Sequence, residues 1–288
     1  MPELPEVEVL VRHLAPLIQG KVIREVRVHR SRVLRPTSIR TFARKLCCAR
    51  FEGLTRRGKF LLFTLRQAGT AREVQLVGHL GMTGRMYLLP KTALLPRHTA
   101  VVLDLGKERF VFEDTRYFGR LTLDASALGQ LGPEPLSREF TVEHFVRVLK
   151  RTRQAIKVKL LDQSLIAGLG NIYASEALFR GGISPMIPAH RLRSDQIVQL
   201  RQSIQEVLTQ AIERGSTQLL DYEGSQKQDS FFYFGRAQAS GDRDPEWLRV
   251  YDRAGDPCFV CGALIQRCIQ AARSTFYCPR CQAAKGRR

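Results

Sequence analysis

The sequence predicts an α+β chain of several domains: an N-terminal β-sandwich entered through a helix, then a helical domain, then a four-cysteine zinc-ribbon hairpin. Three observations predict it. Short apolar runs alternate with Gly, Pro and charged turns from Val22 to Leu123, the pattern of a sandwich or barrel. From Thr141 onward the apolar spacing becomes helical. Near the end, Cys258-x₂-Cys261 and Cys278-x₂-Cys281 stand sixteen residues apart, the spacing of a tetrahedral thiolate zinc site.

Composition narrows the partner. The 288 residues are 44% hydrophobic, enough for real cores, and the length suggests two main domains. Forty-six Lys and Arg against 27 Asp and Glu give a net charge of +19, spread along the chain. A folded body with that excess points to a polyanion, most commonly nucleic acid. No signal peptide, transit peptide or membrane-length apolar run is present, so no membrane partner is expected. With seven cysteines and no secretory signal, disulfides are disfavoured against metal binding.

Residues 3–19 read as an amphipathic helix with Val7, Leu10, Leu14, Leu17 and Ile18 on one face and Gly20 as its stop. Its head, Met1-Pro-Glu-Leu-Pro-Glu6, supports two readings. Loss of Met1 would leave Pro2 as a terminal secondary amine; an α-amino group titrates near pH 8, so far more of it than of a Lys is neutral at neutral pH, with Glu3 beside it for proton transfer and Glu6 one turn on. The same residues are also ordinary helix-start chemistry.

Strands follow around Val22–Val28, Phe60–Phe63, Val74–Leu76, Thr99–Leu105, Phe110–Phe112 and Leu121–Leu123. Arg56-Arg57-Gly58-Lys59 precedes one of them as a solvated strand end or a phosphate contact. Residues 124–137 lose periodicity and collect Gly and Pro, as a linker does. Thr141 caps a helix bearing Phe145, Val148 and Leu149, a second helix spans about 153–163, and a third runs from Ile172 to Phe179. Ser194 begins a longer one ending at Gly215. Gly168-Leu-Gly-Asn171 is either a packing turn or a set of backbone donors for an anion. Residues 216–250, with Phe231-Phe-Tyr-Phe234 and Trp247, read as a functional loop or an extra hairpin. With four thiolates the zinc is closed and structural; Cys268, Cys47 and Cys48 fall outside the paired spacing.

Taken together, PELPEVE at 2–8, RRGKF at 56–60, HLGMTG at 79–84, DTRYFG at 114–119, LGPEPL at 131–136, GLGNIYASE at 168–176 and RSTFYCPRC at 273–281 resemble the bacterial formamidopyrimidine-DNA glycosylases, the Fpg/MutM branch of the Fpg/Nei family. The resemblance implies a catalytic β-sandwich over 1–124, a linker over 125–137 and a helix–two-turn–helix domain over 138–222. It also implies a lesion-capping loop over 223–250 and a zinc finger over 251–288.

It implies these roles: Pro2 as the nucleophile at the sugar C1′, Glu3 as acid/base, Lys59 as phosphate contact and aid to elimination, and Asn171 and Arg273 gripping phosphates beside the lesion. Met82, Arg116 and Phe118 would fill the space left by a flipped base, with Glu6 and Glu176 positioning the N-terminal segment. His79 fits a phosphate contact or a hydrogen-bonded structural role. Cys258, Cys261, Cys278 and Cys281 would hold one structural Zn²⁺, with no organic cofactor. The implied activity is a base-excision glycosylase and abasic-site lyase for oxidised purines, acting on duplex DNA as a cytoplasmic, nucleoid-associated bacterial monomer. Oxidised pyrimidines and lesion binding without turnover are the alternatives. Thr115 and Tyr117 depart from the family pattern, which usually shows Pro and a second basic residue there.

Overall fold

The computed structural model describes residues 2–69, 72–216 and 248–283. The expected capping loop, 223–250, lies outside the described residues except for its last three. The chain divides into two compact units between Gly129 and Gln130.

The first unit opens with helix α1, Leu4–Ile18. Glu3 is its extended N-cap, and Pro5 sits in the first turn, where no N–H partner is needed. Leu4, Val7, Leu10, Val11, Leu14 and Ile18 are buried. Leu17, expected on that face, is 40% exposed, because it falls at the edge of the arc centred on Val7, Val11 and Ile18.

Two four-stranded antiparallel sheets follow. One contains β1 (Glu25–Val28), β6 (Thr99–Asp104), β7 (Glu108–Asp114) and β5 (Gly84–Pro90), in that order. The other orders β2 (Arg50–Arg57), β3 (Phe60–Arg66), β4 (Glu73–His79) and β8 (Arg120–Thr122). Their inner faces meet: Phe63 of β3 packs edge-on against Phe110 of β7, centroids 5.6 Å apart. Leu61, Leu65, Val101, Leu103 and Phe112 join Val7, Leu10 and Leu14 of α1 in one core. This is the expected sandwich. Strands β2 and β5 and helix α2 (Ile39–Leu46) were not anticipated.

In the second unit α3 (Val142–Lys150) starts at Thr141, whose hydroxyl accepts the His144 N–H at 3.1 Å. Helix α4 covers only Ile156–Leu160, shorter than the expected 153–163. Its leading backbone is committed elsewhere: Ala155 bridges Pro188, and the Ile156 N–H donates to the Ile187 carbonyl. Helices α5 (Asn171–Arg180) and α6 (Ser194–Ser216) follow, and β9 (Gln266–Gln270) and β10 (Arg273–Tyr277) form the terminal hairpin. Gly132 N–H donates to the Gln163 carbonyl, and Ala167 N–H to that of Pro133, which fastens 132–133 to the helical unit.

Candidate functional site

The N-terminal pair is held by a reciprocal capping box. Glu6 accepts the Glu3 backbone N–H at 2.7 Å, and the Glu3 carboxylate accepts from the Glu6 N–H. Pro2, Glu3 and Glu6 are all buried. The capping and chemical readings of this stretch are therefore compatible: the box that starts the helix also fixes Glu3 one residue from the Pro2 nitrogen.

One turn on, Glu8 receives Arg56 at 2.8 Å and Arg12 at 2.8 Å. Burial pushes the Glu8 carboxyl up, but these two guanidiniums outweigh it and hold it below the ordinary range. Arg56 Nη1 also donates to the Gly58 carbonyl at 3.1 Å. The β2–β3 turn is thus tied to α1, and Lys59, which follows Gly58 (φ +55°), is 9% exposed.

His79 lies opposite Phe60 in the sheet and Arg120 on the other side. Its Nδ1 accepts the Gly81 N–H at 3.1 Å, and its ring meets that of Phe60 at 4.8 Å. Burial, then the charges of Lys59 and Arg120, lower its pKa to about 4, so it is neutral at pH 7. A neutral ring with Nδ1 engaged is the structural reading, and leaves Nε2–H as its remaining donor.

Two loops at the sandwich edge dock through Asp114, which has no exposed surface. Its Oδ1 accepts the Thr83 hydroxyl at 2.6 Å and the Arg116 N–H at 3.1 Å, and its Oδ2 accepts the Gly119 N–H at 2.7 Å. Contact between the loops is close: a Cβ on Gly81 (φ +60°) would come within 2.6 Å of the Gly119 nitrogen. Tyr117 takes a left-handed φ of +53°, which costs a bulky residue roughly 1–2 kcal/mol. What this rigid pair displays is apolar and cationic. Met82 is 38% and Phe118 46% exposed, and the Arg116 guanidinium stands 4.9 Å over the Phe118 ring.

In the second unit Asn171 opens α5 after the Gly170 N-cap. Its Oδ1 accepts from Lys157 Nζ at 2.5 Å, and its Nδ2 donates to the Ser274 carbonyl at 2.8 Å. One amide hydrogen is left for a ligand. Ser274 neighbours Arg273, an exposed side chain directly after Ala271 and Ala272, both left-handed at φ +47° and +58°. The helix turn and the hairpin are therefore linked through Asn171. Glu176, also in α5, is buried. Its carboxylate accepts the backbone N–H groups of Arg249, Val250 and Tyr251 at 2.9, 3.0 and 2.8 Å, anchoring the chain where it enters the zinc module. Burial raises its pKa, against the pull of these three donors.

The four predicted cysteines converge, with ligand atoms all within 4.8 Å of one another. A tetrahedral ion with Zn–S near 2.3 Å needs sulfurs about 3.8 Å apart; Cys258–Cys281 is 3.9 Å and Cys261–Cys278 3.4 Å. The donor set fits zinc. Phe179 of α5, Val250, Ile265 and Phe276 pack beside Cys258 and Cys278 as a small core of their own.

Residues 1–121 match the formamidopyrimidine-DNA glycosylase N-terminal domain, 131–222 its H2TH domain, and 255–284 the zinc finger found in FPG and IleRS. The chain belongs to the formamidopyrimidine-DNA glycosylase family. The formamidopyrimidine-DNA glycosylase of Carboxydothermus hydrogenoformans is 38% identical over 282 residues, covering 98% of this chain and 100% of that one. The enzyme of Symbiobacterium thermophilum is 40% identical, covering 98% and 89%. Among solved structures, wild-type Lactococcus lactis Fpg (MutM) in complex with DNA containing N7-benzyl-Fapy-dG is 30% identical, covering 98% and 100%, with a TM-score of 0.84. The same protein with oxidised-pyrimidine DNA gives 0.83 at 30% identity, covering 98% and 100%.

Sequence reasoning missed three residues in this Fpg-family chain: Asp114, the clasp of the two loops; Arg56, the tie from α1 to the Lys59 turn; and Lys157, fully buried against Asn171. The hydropathy pattern marks none of them. The one available signal for Lys157 was its place on the inner side of a short amphipathic segment between Ile156 and Leu160. Among the described residues no helix is long and apolar enough to cross a membrane.

Proposed function

We propose that the chain is a bifunctional glycosylase and abasic-site lyase acting on oxidised purines in duplex DNA. After loss of Met1, the Pro2 secondary amine attacks the sugar C1′. The C1′–N bond breaks and the base departs carrying its electron pair and the amine's proton; the C1′–O4′ bond then opens, the ring oxygen takes a proton from Glu3, and an iminium links protein to sugar. Proton loss from C2′ then expels the 3′ phosphate, and a second elimination expels the 5′ phosphate. Glu3 is the group placed to move protons at the ring oxygen and the amine. Met82, Phe118 and Arg116 occupy the space of the extruded nucleotide, offsetting an unstacking cost of a few kcal/mol. Lys59, Asn171 and Arg273 hold phosphates, and the zinc module keeps Arg273 on a rigid hairpin.

The observation that carries this reading is the Pro2–Glu3 pair fixed by the capping box at the head of α1, in a chain matched to its family over nearly its whole length. Borohydride trapping on lesion duplex tests it. A covalent adduct should form with the processed protein and be absent from a form that keeps Met1. Equal trapping by the Met1-retaining form would exclude Pro2 as nucleophile.

A second substrate reading, oxidised pyrimidines, is favoured by the Lactococcus lactis relative, solved with both kinds of lesion DNA. Single-turnover excision of 8-oxoguanine, formamidopyrimidine and oxidised pyrimidines separates the two. Binding without product across that panel would instead favour a lesion-binding protein.

A further inference from the structure

Beside the loop that carries Arg116 and Phe118, three separate segments are stitched together. The His29 and Arg30 N–H groups both donate to the Ala100 carbonyl, at 2.9 and 3.1 Å, and the Asp114 N–H donates to the His98 carbonyl at 3.1 Å. At this junction the Arg30 guanidinium carbon stands 5.5 Å from the centroid of the Tyr117 ring, a cation–π distance. His98 approaches the same ring edge-on at 6.5 Å.

Two features set this stack apart from an ordinary surface contact. First, Tyr117 pays for its place: its φ of +53° is an outlier for a bulky residue, retained because the ring packs against the sandwich core. The residue between Arg116 and Phe118 therefore supports Arg30 instead of joining the exposed pair. Second, Arg30 is exposed, and among the described residues its guanidinium has no carboxylate partner; its one hydrogen bond is from Nη1 to the His29 carbonyl at 3.3 Å. A cation oriented from behind by an aromatic ring, with donors left over and no counter-ion, suits a phosphate.

We propose that Arg30 contacts a DNA phosphate beside the lesion, and that Tyr117 is its positioning residue. The proposal rests on the repair reading above. Anisotropy titrations with an uncleavable abasic-site duplex and its undamaged counterpart, from 50 to 200 mM KCl, test both. Each neutralised phosphate contributes about −0.9 to the log–log slope, or about 3.5-fold in affinity over this fourfold salt range. Arg30→Ala should lose that 3.5-fold share of the salt dependence. Tyr117→Phe, which keeps the ring, should retain it. Tyr117→Leu should lose it, with no further change when combined with Arg30→Ala. Urea midpoints report whether each variant is folded, and Arg273→Ala serves as the internal comparison.

An unchanged slope in folded Arg30→Ala, with Arg273→Ala flattened, would overturn the Arg30 contact and leave the repair reading intact. A flattened slope in Arg30→Ala but not in Tyr117→Leu would overturn the positioning role. Should the wild type bind abasic and undamaged duplex equally while Arg30→Ala still flattens the slope, the repair reading is overturned and the phosphate contact stands.

Discussion

Replacing Asp114 by Asn keeps the shape of the clasp and removes its charge and one acceptor. The native carboxylate takes the Thr83 hydroxyl and Arg116 N–H on one oxygen and the Gly119 N–H on the other. An amide has a single oxygen, so its NH₂ must face a donor on one side. The Gly119 N–H is buried and has the most to lose, so the amide oxygen turns there. The Arg116 N–H then loses its acceptor, a charge-assisted bond worth about 1.5–3 kcal/mol less what water restores, while the Thr83 hydroxyl turns to accept from the amide NH₂ and its bond, like that of Gly119, loses its charge assistance. The expected loss is about 2–4 kcal/mol, a large share of the roughly 5–15 kcal/mol that holds a typical domain. Urea denaturation with an unchanged m-value measures it. Thr83→Val, which removes one bond, should cost about 1 kcal/mol. Function should follow geometry: excision of an intact lesion should fall further than cleavage of a preformed abasic site, where there is no base to extrude. A stability loss below about 1 kcal/mol, or equal losses on the two substrates, would refute the clasp as the support of Met82, Arg116 and Phe118.

Three other outcomes are expected. His79 has a folded pKa near 4 against 6.5 for the free group, so between these values the unfolded chain binds more protons and stability falls as pH drops. The contribution is complete above pH 6.5 and bounded at about 3.5 kcal/mol, from the fall from 6.5 to about 4 at about 1.4 kcal/mol per pH unit; His79→Asn should flatten that acid limb, and an unaltered limb would assign it to other groups. Chelation should abolish hydrogen-exchange protection over 258–282 and in the last turn of α5, since Phe179 shares the small core of the zinc module; retained protection in both would remove the metal from the folding of this unit. Gly81→Ala combines a left-handed φ with a Cβ 2.6 Å from backbone, so a loss above about 2 kcal/mol is expected by denaturation, and wild-type stability would show that the loops separate freely.

Much of this architecture was legible because its signals are local. The cysteine ligands are set by two short spacings, and α1 by an apolar period with Pro and Glu at its head. Strands β3, β6 and β7 announce themselves through runs of consecutive apolar residues, of which β3 buries alternate side chains, Leu61, Phe63 and Leu65. Strand β2 was hidden because RFEGLTRR buries only Phe51 and Leu54 as apolar residues, and the register shift after Phe51 puts them three apart, out of the period of two. Helix α2 was missed for a related reason: only Phe42 and Leu46 of its eight residues are buried, too few to show a period.

The candidate site divides along the same line. Residues whose roles rest on a contiguous motif were named from sequence, whereas Asp114, Arg56 and Arg30 act on groups 31, 48 and 87 residues away. Such partners are chosen by strand register and loop docking, not by local sequence. An Asp in a turn motif and an Arg in a basic chain each look like solvated charge until the sheet order is known. That also accounts for Glu176, whose position in GLGNIYASE marks it as significant but whose partners, 73 to 75 residues on, decide what it does. A motif tells which residues matter; the register tells what each one holds.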